Sequence, residues 1–192
     1  LVHVGTALEK ETHLSYPFLL KDGDDIYMIP ESSEDKSLVI YKSVDFPLKW
    51  EVYDEGFKGE SIIDCVVYRE SNDNYWWFLN KKTSRDINDT ELFIYNSCDL
   101  SLKNLKAHAR NPVIINSTTG RNGGDIFMHD GDLVRTSQVN IDGVYGKAIA
   151  FNRIKLLNLE EYQEELIDII RPNFDKNLVG LHHLSRINGD SF

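Results

Sequence analysis

Internal repetition restricts this chain more than any other feature. Residues 38–49 (LVIYKSVDFPLK) and 92–103 (LFIYNSCDLSLK) align without a gap and agree at seven of twelve positions. A weaker third copy lies at 148–153. A second pattern recurs too, an apolar run, a polar turn and another apolar or aromatic run. Its turns are Asp22-Gly23-Asp24, Asn72-Asp73-Asn74, Asp130-Gly131-Asp132 and Asn188-Gly189-Asp190. Asp-Gly and Asn-Gly tolerate the positive φ of tight hairpin turns, so each copy predicts a β-hairpin. The turns return every ~50–60 residues, and the runs lack the three- and four-residue spacing of a helical solenoid. A hairpin plus one or two further strands, repeated at this interval, is the pattern of a propeller blade. A β-sandwich has no reason to repeat its sequence.

Composition excludes several alternatives. The chain has 192 residues and a formal charge of −10, which argues against nucleic acid or an anionic membrane as partner. No apolar run approaches the ~20 residues that span a bilayer, and the N-terminus lacks the pattern of a signal peptide. Aromatic residues make up 11% of the chain and are spread along it, which excludes disorder. Two cysteines make neither a disulfide framework nor a zinc motif. Cys65 and Cys98 are expected to be buried reduced thiols in a cytoplasmic chain. No cofactor and no metal site is expected.

The prediction is an all-β, five-bladed β-propeller-like domain that is incomplete, with about four blades present. Blades fall at 13–58, 62–116, 120–172 and, in part, 180–192, with 1–9 a strand of a preceding blade. Residues 158–166 carry a helix-cap candidate, Asn158, and good helix formers, and read equally as helix or strand. A ring must close to hide its sheet edges, so the ragged ends suggest a longer polypeptide or closure by association. Trp76 and Trp77 are expected to place one ring on each sheet face, packing between blades.

Several motifs occur in order: His13-Leu14-Ser15-Tyr16-Pro17-Phe18, Tyr27-Met28-Ile29-Pro30-Glu31-Ser32, Val44 to Glu51, Arg121 through Gly124 to Phe127, Tyr145-Gly146, and Gly180-Leu181-His182. As a set they resemble the N-terminal propeller domain of plant glucosamine inositolphosphorylceramide transferases. They are similar also to bacterial polysaccharide-biosynthesis proteins, some joined to a formyltransferase-like domain. That domain in turn resembles the five-bladed arabinanase, invertase and levansucrase propellers. The resemblance implies a fused or associated transferase domain and a missing blade before Leu1. In those glycosidases an inner strand often opens with Asp-Pro-Phe, the Asp being catalytic. Here Tyr16-Pro17-Phe18 stands in that place, and Asp64 is at the equivalent position of the next blade.

In a propeller the starts of the innermost strands surround one mouth of the channel, where side chains of every blade converge. The candidates for binding a sugar or sugar-phosphate are therefore His13, Ser15, Tyr16, Arg121 and His182. Arg135 and Gln138, on the following strand, would add polar reach. Arg121 reads either as a fork for a carboxylate or phosphate or as a staple to Asp64 or Asp125. His182 is expected to be a hydrogen bonder, because His182 and His183 on a strand would face opposite ways. Asp64 and Glu31 are the candidate catalytic carboxylates if the chain is a glycoside hydrolase or glycosyl-transferring enzyme. The competing readings are a carbohydrate-recognition propeller in a glycan-building protein and a protein-interaction propeller.

Overall fold

The computed structural model describes residues 2–83 and 90–185. Among these residues the structure is strand, turn and one short 3-10 segment at Ser33–Asp35. The first sheet runs β1 (Ser15–Asp22), β2 (Asp25–Glu31), β3 (Leu38–Asp45) and β4 (Lys49–Gly56). The second runs β5 (Ile62–Ser71), β6 (Asn74–Lys81), β7 (Glu91–Ser97) and β8 (Lys106–Ala107), with β9 (Ile114–Ile115) also on β7. The third runs β10 (Asn122–His129), β11 (Asp132–Ile141), β12 (Val144–Leu157) and β13 (Tyr162–Ile170). Each sheet is an antiparallel meander in chain order. The repeat has a structural meaning: 38–49 begins in β3, 92–103 in β7, and 148–153 lies in β12, the third strand of each sheet.

The sheets stack face to face, and period-two alternation along β6 shows how. Tyr75, Trp77 and Leu79 enter the core shared with Ile29, Leu38 and Ile40 of the first sheet. Trp76 and Phe78 point the other way, against Ile126, Ile154 and Tyr162 of the third. Both indoles find acceptors, Trp77 Nε1 donating to Ser97 Oγ at 2.8 Å and Trp76 Nε1 to Glu70 Oε2 at 3.1 Å. Truncating a buried ring such as Trp77 costs about 3–5 kcal/mol. The first strands lie together, β5 being packed against both β1 and β10.

Three details needed coordinates. Residues 158–166 form no helix: Asn158 Oδ1 accepts the amides of Glu160 and Glu161 at 2.9 and 2.8 Å, which closes a turn into β13. Pairing with β12 overrides helix propensity there. Cys65 is buried as expected, but Cys98 is exposed, because β7 ends at Ser97 and Cys98 lies in the turn beyond. Of the fourth hairpin, residues 186–192 lie outside the described residues, and 180–185 form no strand except a parallel bridge from Leu184 to Gly124. Among the described residues no helix is long and apolar enough to cross a membrane.

Candidate functional site

Every first strand opens with a bulge. Between the pairs Ser15↔Glu31 and Phe18↔Ile29, β1 carries one residue more than β2. The same surplus separates Ile63↔Asn80 from Val66↔Phe78, and a surplus of two residues separates Asn122↔Ser137 from Ile126↔Arg135. The bulged backbone takes positive φ at Tyr16 (45°), Asp64 (46°) and Gly124 (128°). A left-handed conformation costs a non-glycine residue about 1–2 kcal/mol. In return a bulge re-aims its side chain out of the sheet. Tyr16 and Asp64 thus occupy the same place in successive sheets.

These starts border a cavity of about 560 Å³. Its lining includes His13, Ser15, Tyr16, Glu31, Asp64, Arg121 and His182, together with Tyr145, His183 and Ser185. Asp64 is 2% exposed, and Arg121 Nε meets its Oδ2 at 2.6 Å, joining the second and third sheets. Burial pushes the Asp64 carboxyl up to about 7; the charge and hydrogen bond of Glu31 push the same way, while Arg121 pulls it down. Near neutral pH the Asp64 carboxyl is therefore partly protonated, and Arg121 pairs with its charged form.

Aromatic rings complete the walls. The Arg121 guanidinium lies 4.9 Å from the centre of the Tyr145 ring, and the His182 ring packs on Tyr145 at 5.9 Å. Across the cavity His183 meets Tyr16 edge-on at 4.8 Å. Burial lowers the His183 pKa, opposed by Asp125, so the ring is neutral at pH 7. Burial likewise raises the Tyr16 and Tyr145 phenols, with Asp64 adding to both.

The segment carrying the histidines is fixed by its backbone. Leu181 N donates to Gly146 O at 2.7 Å, Leu184 N to Gly123 O at 2.8 Å, and Asp125 N to Leu184 O at 3.0 Å. A Cβ on Gly124 would stand 1.9 Å from the Leu184 carbonyl oxygen, so only glycine admits this approach. Because 182 and 183 are not in a strand, strand alternation does not separate them, and both face one cavity.

Two expected contributors do not line the mouth. Arg135 is fully buried, with Nε and Nη2 on Glu164 at 2.9 and 2.8 Å, Nη1 on Asn122 Oδ1 at 3.1 Å and a further bond to the Thr119 carbonyl. It holds β11, β13 and the loop before β10 together and has no donor directed at a ligand in the mouth. Gln138 is also fully buried; its Nε2 reaches Asp64 Oδ2 at 3.3 Å and Asn122 O at 2.8 Å, so it supports the carboxylate from behind. Sequence reasoning missed Tyr145 and His183 as lining residues, and Asn80 and Asn122 as the buried link between sheets. Asn122 Nδ2 donates to Asp64 O and Phe78 O at 2.8 and 3.0 Å, while its amide donates to Asn80 Oδ1 at 2.9 Å. One signal for Asn80 existed: it has the register of Glu31, opposite the residue before a bulge. Among the described residues no three His, Cys, Asp or Glu side chains are grouped to hold a metal.

Consecutive antiparallel meanders with a polar cavity at the starts of their first strands define a β-propeller-like domain. The structure is similar to two crystal structures of an exo-beta-1,3-galactanase from Phanerochaete chrysosporium with beta-1,3-galactotriose. In each the TM-score is 0.57 at 11% identity, over 82% of this chain and 38% of the galactanase. The chain belongs to the family of the N-terminal region of glucosamine inositolphosphorylceramide transferase 1, which matches residues 1–180. It is 34% identical over 170 residues to glucosamine inositolphosphorylceramide transferase 1 of Oryza sativa subsp. japonica, covering 86% of this chain and 22% of the relative. It is 34% identical over 166 residues to the transferase of the same name from Arabidopsis thaliana, covering 84% and 21%. The chain thus spans about a fifth of the length of these relatives.

Proposed function

We propose that this chain is the carbohydrate-recognition propeller of a glycan-building transferase, part of a five-bladed ring, and that it holds a sugar or sugar-phosphate at the mouth. The observation that carries this reading is Arg121, stacked on Tyr145 and anchored on buried Asp64 at the wall of the 560 Å³ cavity. A guanidinium held from behind by a carboxylate is preorganised for a polar ligand. The Tyr145 and His182 faces suit the C–H face of a sugar ring.

The hydrolytic alternative is less well supported by the geometry. A retaining pair stands about 5–5.5 Å apart and an inverting pair about 6.5–9.5 Å. Glu31 and Asp64 are near enough to hydrogen-bond each other, and Asp64 Oδ2 already accepts from Arg121.

Calorimetric titration with glucosamine and with inositol phosphate, the chemical parts in the relatives' name, tests the proposal. Arg121→Ala and Glu31→Ala should each weaken binding about tenfold or more, equivalent to about 1.4 kcal/mol. Turnover of aryl glycosides that is lost in Asp64→Asn while binding persists would establish the hydrolase instead. Binding that neither variant alters would favour a protein-interaction role.

A further inference from the structure

The junction between the first two sheets follows a plan that the repeat carries to both ends of the stack. At its outer strand the first sheet bulges between the pairs Ile40↔Asp54 and Tyr41↔Val52. Asp54 Oδ1 accepts the Glu55 amide at 2.9 Å. Its Oδ2 reaches the second sheet, accepting Leu102 N at 2.9 Å and Ser101 Oγ at 3.2 Å. Leu100 and Leu102 of that turn are buried in the core with Leu38 and Ile40. The junction thus pairs a socket, the bulged Asp above an apolar floor, with a plug, a turn bearing two leucines. Asp99 Oδ1 shapes the plug by accepting Ser101 N at 2.7 Å.

The socket recurs on the third sheet. There the same bulge separates Phe151↔Asp168 from Asn152↔Leu166, and Asp168 Oδ1 accepts the Ile169 amide at 2.7 Å. No described residue donates to Asp168 Oδ2. Phe151 lies on the face of β12 opposite Ile154, which packs toward the second sheet, so this socket opens on the far side. Asp168, Phe151, Ile167 and Ile170 line a cavity of about 280 Å³ there. The plug recurs on the first sheet, where Asp45, Phe46, Leu48 and Lys49 match Asp99, Leu100, Leu102 and Lys103 of the repeat. Leu100 and Leu102 are 3% and 8% exposed, whereas Phe46 and Leu48 are 53% and 38% exposed. Leu48 N donates to Asp45 O at 3.0 Å and Trp50 Nε1 to Pro47 O at 2.8 Å, so the turn is already formed. Lys49 complements Asp168 in charge, as Lys103 favours the charged form of Asp54. Two differences set the fit. Ile170 stands where Gly56 lies close against Leu102, so the cavity receives one large side chain and not two. Gly5 and Leu8 lie against the first sheet beside the plug, so the turn engages and the whole sheet face does not.

We infer that this chain associates head to tail with a second copy, the Phe46 turn of one seated in the Asp168 socket of the other. Such a contact is heterologous, so a pair of chains keeps one plug and one socket open. It stands whether or not the mouth binds sugar. The test is sedimentation equilibrium of the chain over a range of concentrations, with Phe46→Asp disabling the plug and Ile167→Asp the socket. Both positions are exposed, and circular dichroism checks that the variants fold. If a charge unfolds either chain, Phe46→Ser and Ile167→Ser take their place. Association of the parent should grow with concentration. Each variant alone should have its dissociation constant raised about tenfold or more. An equimolar mixture of the two should form a 1:1 complex and nothing larger, because one intact plug then meets one intact socket. The inference is overturned by a parent that stays monomeric, by association that either variant leaves unchanged, or by two variants that fail to complement each other.

Discussion

Arg121 and Arg135 each meet a buried carboxylate, yet their surroundings give them opposite work. Arg135 is sealed: Glu164 grips it at two nitrogens, Asn122 takes the third, the Thr119 carbonyl shares Nη2, and none of its surface meets solvent. Arg121 is held at Nε by Asp64, while its plane lies on Tyr145 beside a cavity. An arginine with no surface on a cavity is structural, whereas one that borders a polar cavity stands where a ligand can reach it. Residue type alone does not separate the two.

The largest effect should come from breaking the sealed pair. Arg135→Met leaves Glu164 buried without a counter-charge and should destabilise by about 3–5 kcal/mol in urea unfolding. Adding Glu164→Gln should recover much of that loss. If Arg135→Met is harmless, the contrast between the arginines fails. Next is Gly124→Ala, whose methyl meets the Leu184 carbonyl and should cost about 1–3 kcal/mol. Amide exchange should accelerate at Leu184 and Asp125 in that variant, since their hydrogen bonds hold the segment. Arg121→Ala should cost only about 1 kcal/mol of stability, because Asp64 answers by keeping its proton. Its main consequence should be the roughly tenfold loss of ligand binding at the mouth.

The last effect is a slope with pH. The Asp64 carboxyl titrates near 7 when folded, above the ~3.9 of an unfolded aspartate. Between those values the folded chain keeps a proton that the unfolded chain has released, so stability from this group falls as pH rises. Above the folded value it levels off. Denaturation midpoints at mildly acidic and mildly alkaline pH should differ less in Asp64→Asn than in the parent. An unchanged difference would mean that Asp64 is ionised throughout.

The repeat made the sheets legible, because 38–49 and 92–103 share the third-strand role and so must share its pattern of inward side chains. The starts of the first strands were legible as site positions for the same reason. Burial of Arg135 was not, since its partner Glu164 lies on β13, two strands away in the sheet, within a segment that reads equally as helix. Nor was the joint placement of His182 and His183, which rests on backbone bonds to Gly146 and Gly123 and not on any periodicity. Cys98 misled because its run is apolar but the strand ends one residue earlier.

The bulge at the head of each first strand carries a consequence for how such a domain diversifies. Tyr16 and Asp64 sit in one backbone setting, so at these two positions the fold specifies the socket and leaves its occupant free, whereas Gly124 is fixed by the Leu184 carbonyl. A phenol or a carboxylate is accommodated there without altering the strands behind it. Selectivity is thereby modular, and exchanging a single occupant would retune the entrance while the stacked scaffold stays intact.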